Sequence, residues 1–422
     1  MQSMAESFRI AHLPPYLLGN VQQEVVGLRA QGREIIDLSH LNPDMGPPPR
    51  AVDRLVQAVL QPHNHRYSSS RGISQLRAAA VEWYKKRFDG DFDLEREVVV
   101  TMGTKEGMAH LLLAILNAGE NVVVPTPSYP IHASSVFIAG GGFIGVPLFS
   151  AEEYTDIYNS PRGSLSLNEA SDGFFSRLES ICLHTWPKPK VFICSFPHNP
   201  TTTVVSQGFF QRLVEFAREH QLLLIHDAAY CDLSYSEHQA PSLLEIKGAR
   251  DLAVEFFSLS KSFGLPGWRV GFAIGNQAMI SALKKIKSYV DNGIFQPLQI
   301  ASIEALKDAD RLVDEVRSNY LSRRDVLVDG LRQAGWDVHK PKGTVFVWAR
   351  LPAAFRAKGR TMGSAALARL LLHEGNPGVA VTPGAYFDPQ ADEFVRFALV
   401  ENENRLRRAV GSIGEVLRHH VG

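Results

Sequence analysis

Lys261 lies in the run Ser258-Leu-Ser-Lys261-Ser-Phe-Gly-Leu-Pro-Gly-Trp-Arg269, where hydroxyls, an amine and a guanidinium crowd together. A lysine attacks a carbonyl only as the neutral amine, although its reference pKa is about 10.4. Four more polar clusters punctuate the chain: Gly103-Thr104-Lys105, Ser128-Tyr129, His198-Asn199-Pro200-Thr201 and Asp227-Ala-Ala-Tyr230. Backbone N–H groups at a helix start, with hydroxyls and an arginine, hold a phosphate. A carboxylate such as Asp227 can keep a ring nitrogen protonated, and an aromatic face such as Tyr129 can cover the ring. Together these are the parts that pyridoxal phosphate requires, with its ring serving as an electron sink for a substrate carbanion.

Each cluster follows a short apolar run. Strands are predicted at 98–102, 121–125, 143–147, 191–196, 222–226, 254–258 and 269–274. Most are nearly continuous in Val, Ile, Leu and Phe, as in strands covered on both faces. Amphipathic helical patterns lie between many of them, for example 105–117 and 207–220. The expected fold is α/β, a large domain with a mostly parallel seven-stranded sheet flanked by helices. In such sheets ligands bind beyond the carboxyl ends of the strands, where all five clusters fall. The two ends read as a smaller α+β domain. They supply a helix at 20–31, a strand at 35–38, a long helix at 309–334, strands at 345–349 and 395–398, and a helix near 364–374. The boundaries expected are 1–45 and 291–422 for the small domain and 46–290 for the large one. Residues 150–176, polar and turn-rich, read as a mobile surface insertion.

The lysine motif, with its spacing to Arg269 and Gly271, resembles that of the class I/II aminotransferases of pyridoxal-phosphate fold type I. The resemblance sharpens at Leu-Pro-Pro-Tyr16, Tyr67-Ser-Ser-Ser-Arg-Gly-Ile, Gly103-Thr-Lys-Glu-Gly, Pro127-Ser-Tyr-Pro-Ile-His132, His226-Asp-Ala-Ala-Tyr230 and Val395-Arg-Phe-Ala-Leu-Val-Glu-Asn402. These segments are similar to bacterial glutamate–pyruvate (alanine) aminotransferases, and several are shared with diaminopimelate aminotransferases. The resemblance implies amino-group transfer between an amino acid and a 2-oxo acid. It implies Lys261 as the Schiff-base lysine and proton carrier, and Asp227 as partner of the pyridine nitrogen. Tyr230 and Asn199 would bond the ring's phenolate oxygen, and Tyr129 would stack on the ring. Gly103, Thr104, Lys105, Ser258 and Arg269 would hold the phosphate. Tyr67 would reach the phosphate of a neighbouring subunit, implying a homodimer. Arg396 would bind the substrate α-carboxylate with its planar fork, and Tyr16 would line the entrance.

Three features depart from the family pattern. Leu41 stands in Leu41-Asn-Pro-Asp-Met45 where relatives carry glycine, placing a branched side chain where backbone would approach substrate. Thr202 and Thr203 follow the Asn-Pro-Thr motif, where Gly or Ala is usual. The 150–176 stretch is longer than in the alanine enzymes. These departures support an alternative: a specialised biosynthetic enzyme that uses the same cofactor for elimination, cyclisation, decarboxylation or oxidation, depending on which bond is aligned with the ring. Aminotransferase-like domains also occur in transcription regulators, but that reading expects an N-terminal helix-turn-helix domain, and sheet-domain features begin here after about residue 40.

Composition narrows the classes further. The 422 residues carry 44 Lys plus Arg against 44 Asp plus Glu, so no net charge favours nucleic acid or a membrane surface. No apolar run approaches the roughly 18 residues of a membrane span, and the N-terminus lacks a secretion-signal pattern. Cys182, Cys194 and Cys231 form no CxxC pair, so no metal is expected, and reduced thiols in a cytoplasmic protein are. His226, next to Asp227, reads as support for that carboxylate or as a core histidine.

Overall fold

Along the buried strands, neighbouring side chains alternate between two cores. Val98 and Val100 join one cluster and Val99 another; Val123 separates from Val122 and Val124, and Phe192 from Val191 and Ile193. This period of two forces apolar side chains at nearly every position of a strand covered on both faces. The computed structural model describes residues 6–11, 13, 15, 17–159, 166–168, 171–235, 239–356 and 362–421.

Among these residues a seven-stranded sheet forms from β1 (Val98–Thr101), β2 (Asn121–Thr126), β3 (Gly142–Pro147), β4 (Pro189–Cys194), β5 (Leu223–Asp227), β6 (Ala253–Ser258) and β7 (Gly271–Gly275). The strand order is β1-β7-β6-β5-β4-β2-β3. Neighbours are parallel except at β7, which is antiparallel to both β1 and β6. Helix Gly103–Ile115 packs Met108, Leu111 and Leu112 onto one face beside Ile280 and Leu283 of helix Gln277–Val290. Helix Gln207–Glu219 covers the opposite face with Phe209, Phe210 and Leu213, and is capped where the Ser206 hydroxyl accepts from Phe209 N–H. All seven predicted strands are present, with ends shifted by one or two residues.

A second, antiparallel sheet joins Phe346–Arg350 and Thr382–Pro383 to Phe394–Ala398 at its centre. Helices Ala309–Gln333 and Glu403–Val421 pack on it through Leu327, Leu331, Leu406 and Ile413. The two ends of the chain meet where Ile35–Asp37 pairs in parallel with Gly378–Ala380. The small α+β domain is therefore built from both termini.

The polar reading of 150–176 requires correction. Residues Ala151–Asn159 form a helix, and Tyr154 and Tyr158 turn inward against Phe394. Tyr154, Ile157 and Tyr158 make the narrow i, i+3, i+4 stripe of a short helix. Glutamates, Asp and Thr between them mask that stripe in the composition. Residues 160–165 and 169–170 of the stretch lie outside the described residues. The three cysteines are buried free thiols. No helix among the described residues is long and apolar enough to cross a membrane.

Candidate active site

The carboxyl ends of β1, β4, β5 and β6 open onto one cavity of about 180 Å³. Its lining includes Leu41, Thr104, Lys105, Tyr129, Asn199, Asp227, Tyr230, Ser258, Lys261, Arg269 and Arg396. Residues far apart in sequence thus converge because parallel strands deliver their following loops to one rim.

Lys261 follows β6 on the short helix Leu259–Ser262, whose start is capped by the Ser258 hydroxyl accepting from Ser260 N–H at 3.2 Å. Burial pulls its amine down to about 8; the Arg269 and Arg396 guanidiniums push the same way, and Asp227 opposes them. A dry, cation-flanked amine sheds its proton more readily than a solvated one.

Asp227 ends β5, 4% exposed. His132 Nε2 lies 3.2 Å from its Oδ2, and the Ser195 hydroxyl donates to its backbone carbonyl at 2.9 Å. Its Oδ1 is buried and has no hydrogen-bond partner among the described residues. An orphaned carboxylate oxygen in a closed site carries a large desolvation cost unless a ligand supplies a donor. A protonated pyridine nitrogen is such a donor. On this observation the residues fit pyridoxal phosphate.

The phosphate end fits as well. Gly103 opens its helix at φ +73°, and a Cβ there would stand 2.4 Å from Arg269 Nη2. The guanidinium therefore lies directly against the glycine backbone. Arg269 itself adopts φ +55°, and its Nη1 donates to Pro266 O at 3.2 Å. A helix N-terminus, hydroxyls of Thr104 and Ser258, and a guanidinium make an anion cradle. Tyr230 is buried, and desolvation raises its hydroxyl well above the usual phenol range, so it remains a proton donor.

Arg396 sits at the centre of the small sheet, 3% exposed. Its Nη1 donates to Asn199 Oδ1 at 2.8 Å and its Nη2 to Ser39 O at 3.0 Å. The guanidinium carbon lies 4.2 Å from the Phe346 ring centroid and 4.8 Å from that of Phe387. Aromatic faces on a planar cation fix its orientation.

Tyr67 is 91% exposed and does not line this cavity, and Tyr16 lies outside the described residues. Thr202 occupies the left-handed region at φ +62°, which a β-branched residue rarely enters. That conformation is the physical reason glycine would suit the position. His226 is a core histidine: its Nδ1 lies 2.7 Å from Glu255 Oε1, and both side chains are fully buried. Among the described residues the Asp227 carboxylate is met by His132, which appears in a sequence motif without a role. Its one signal is its place one helical turn after Tyr129, with which it makes an edge-on ring contact. His40, beside Leu41 on the cavity wall, was also missed. Glu106, His110 and Asp291 come together nearby, but Lys287 Nζ engages Glu106 at 2.8 Å and Asp291 at 3.2 Å, balancing charge with an ammonium.

Residues 33–413 match the family model for aminotransferase class I and II. The chain is 43% identical to the glutamate-pyruvate aminotransferase AlaC of Escherichia coli over 97% of its own length and 93% of that protein's. It is 36% identical to the LL-diaminopimelate aminotransferase of Moorella thermoacetica, covering 98% and 99% of the two chains. Among solved structures it resembles substrate-bound BacF from Bacillus subtilis, with a TM-score of 0.84, 30% identity and 97% of both chains covered. A Thermus thermophilus aspartate aminotransferase double mutant matches with a TM-score of 0.84 at 26% identity, over 98% and 99% of the chains.

Proposed function

This chain belongs to the class I and II aminotransferase family, and from that premise we propose a division of labour among its cavity residues. The enzyme is a pyridoxal-phosphate-dependent aminotransferase that moves an amino group between an amino acid and a 2-oxo acid. When bound, the cofactor supplies an aldehyde for covalent attachment and a ring that accepts the electrons of the substrate's broken Cα–H bond.

Lys261 would be the attachment point, and its amine would take up the proton from substrate Cα and hold it for return. Its lowered pKa suits both halves of that transfer. Asp227, held through Oδ2 by His132, leaves Oδ1 unpartnered and would pair with the ring nitrogen. Tyr230 and Asn199 hold the ring's phenolate oxygen, and Tyr129 covers one face. Gly103, Thr104, Lys105, Ser258 and Arg269 hold the phosphate, joined by Tyr67 from a second subunit of a homodimer. Arg396 grips the α-carboxylate, while Leu41 limits the space beside it. Division into domains near residues 45 and 290 belongs to the same reading, because it puts Arg396 on the unit that can close over Lys261. Alanine/pyruvate with glutamate/2-oxoglutarate is the substrate pair proposed, by likeness to the Escherichia coli relative.

The observation that carries this reading is the meeting of a desolvated lysine, an orphaned carboxylate oxygen and a buried arginine in one cavity. The test is an anaerobic absorbance titration of the purified enzyme with a panel of amino acids. Loss of the visible cofactor band with a donor, and its return on adding a 2-oxo acid, is expected. Product formation without that return would instead place the chain with the elimination or decarboxylation enzymes of this fold.

A further inference from the structure

The helix Ala151–Asn159 is tied to the large domain at one end and to the small domain at the other. At its start, Glu153 accepts from Arg177 Nη2 at 2.9 Å, and Arg177 also donates to the carbonyls of Pro147 and Leu148 at the end of β3. The Phe149 and Tyr154 rings meet at 5.2 Å. Toward its end, the Tyr158 hydroxyl donates to Trp348 O at 3.3 Å, and its ring meets His339 at 4.5 Å and Phe394 at 5.9 Å. Tyr154 reaches Phe394 too, at 5.1 Å.

These contacts bear on Arg396 through the sheet. Phe394 lies two residues before Arg396 on the same strand, and Trp348 is the residue directly opposite Arg396 in the register. Residues at i and i+2, and directly opposed pairs, share a face of the sheet. Trp348, Phe394 and Arg396 therefore form one row, with Trp348 stacked on Phe394 at 5.1 Å and 8°. The tyrosines press on the end of that row.

We infer that helix 151–159 is a strap that sets where Arg396 stands relative to Lys261, with Tyr158 as its positioning residue. This rests on the reading of Arg396 as the α-carboxylate site. Tyr158 touches neither substrate nor cofactor and acts through Trp348 and Phe394.

The test uses the full-length holoenzyme and the variants Tyr158→Ala and Tyr158→Phe. Tyr158→Ala is expected to raise KM for the amino donor about tenfold, by more than it lowers kcat, because carboxylate binding is what shifts. Tyr158→Phe keeps the ring contacts and should fall closer to wild type than to Tyr158→Ala. Amide exchange in the cofactor-free chain should quicken in 346–350 and 394–398 of Tyr158→Ala, with β6 unchanged. An unaltered KM with unaltered exchange would overturn the strap, and so would a uniform rise in exchange across both sheets. If the wild-type enzyme moves no amino group, the proposed function falls, and the exchange pattern still decides the strap.

Discussion

At the scale of single residues the cavity works by arranging which groups are charged. Lys261 in water would be almost entirely ammonium at neutral pH. Burial and two guanidiniums bring it to about 8, so a sizeable fraction is neutral. Attachment of pyridoxal phosphate to the cofactor-free chain should therefore speed up as pH rises through a midpoint near 8 and level off about one unit above it, because only the neutral amine reacts. Stopped-flow absorbance checks this; a rate still climbing toward pH 10 would mean the lysine is solvated. Lys261→Ala should abolish both attachment and turnover. Arg396→Ala would remove charge-assisted bonding to a substrate carboxylate, at roughly 1.5–3 kcal/mol per bond, or about ten- to a hundred-and-fiftyfold in KM for each bond lost. Steady-state kinetics with amino acids and their decarboxylated amines separates that loss from a general one, since the amines should be indifferent to the change. Tyr154 offers a test of a different kind. Its hydroxyl is buried without a partner among the described residues. Tyr154→Phe should leave stability equal or raise it by about 1 kcal/mol, since an unsatisfied polar group is removed. A fall in the denaturation midpoint would reveal a bond through water.

At the scale of elements, the helix start at Gly103 and the Arg269 fork are mutually dependent. Gly103→Ala adds a Cβ at φ +73° in the space of Arg269 Nη2, so backbone strain of about 1–2 kcal/mol adds to displacement of the guanidinium. The variant should fold, melt earlier and lose cofactor on dialysis. Cofactor retention equal to wild type would show that Arg269 is not a phosphate ligand. The elements themselves were largely legible in the sequence, and the physics says which. A strand such as β4, buried on both faces, must be apolar throughout, so it stands out whatever its neighbours are. Helix 151–159 buries only a thin stripe, and its partners Trp348 and Phe394 lie some two hundred residues away, so local composition describes its solvent face alone. The same limit hid His132: the histidine is ordinary in sequence, and its importance comes from a carboxylate 95 positions later. Arg396 was legible because a charge amid Phe-Val-Arg-Phe-Ala on a strand has to be paired and buried. Its partners Asn199 and the Ser39 carbonyl were not.

At the scale of the whole molecule, the proposed function draws Tyr67 from a second chain. Tyr67 stands 91% exposed although the loop around it is firmly held: Gly293 N–H donates to Ser68 O at 3.0 Å, and buried Gln299 donates to the Ser68 hydroxyl at 2.8 Å. A rigidly supported loop that presents an aromatic to solvent, with exposed Phe295 against His65 of the same loop, suits a surface covered by a second copy. Sedimentation should give a dimer. A mixed dimer tests whether Tyr67 serves the other subunit's site. Let Lys261→Ala chains be unfolded and refolded together with Tyr67→Ala chains. If Tyr67 crosses the interface, each mixed dimer has one site with both defects and one with neither. Random pairing makes half the dimers mixed, so about a quarter of all sites regain full activity. If Tyr67 acts within its own chain, every site keeps a defect, and the mixture is no more active than the average of its parents. Recovery would thus assign the tyrosine to the neighbour without any structure of the dimer, and its absence would return Tyr67 to an ordinary surface position.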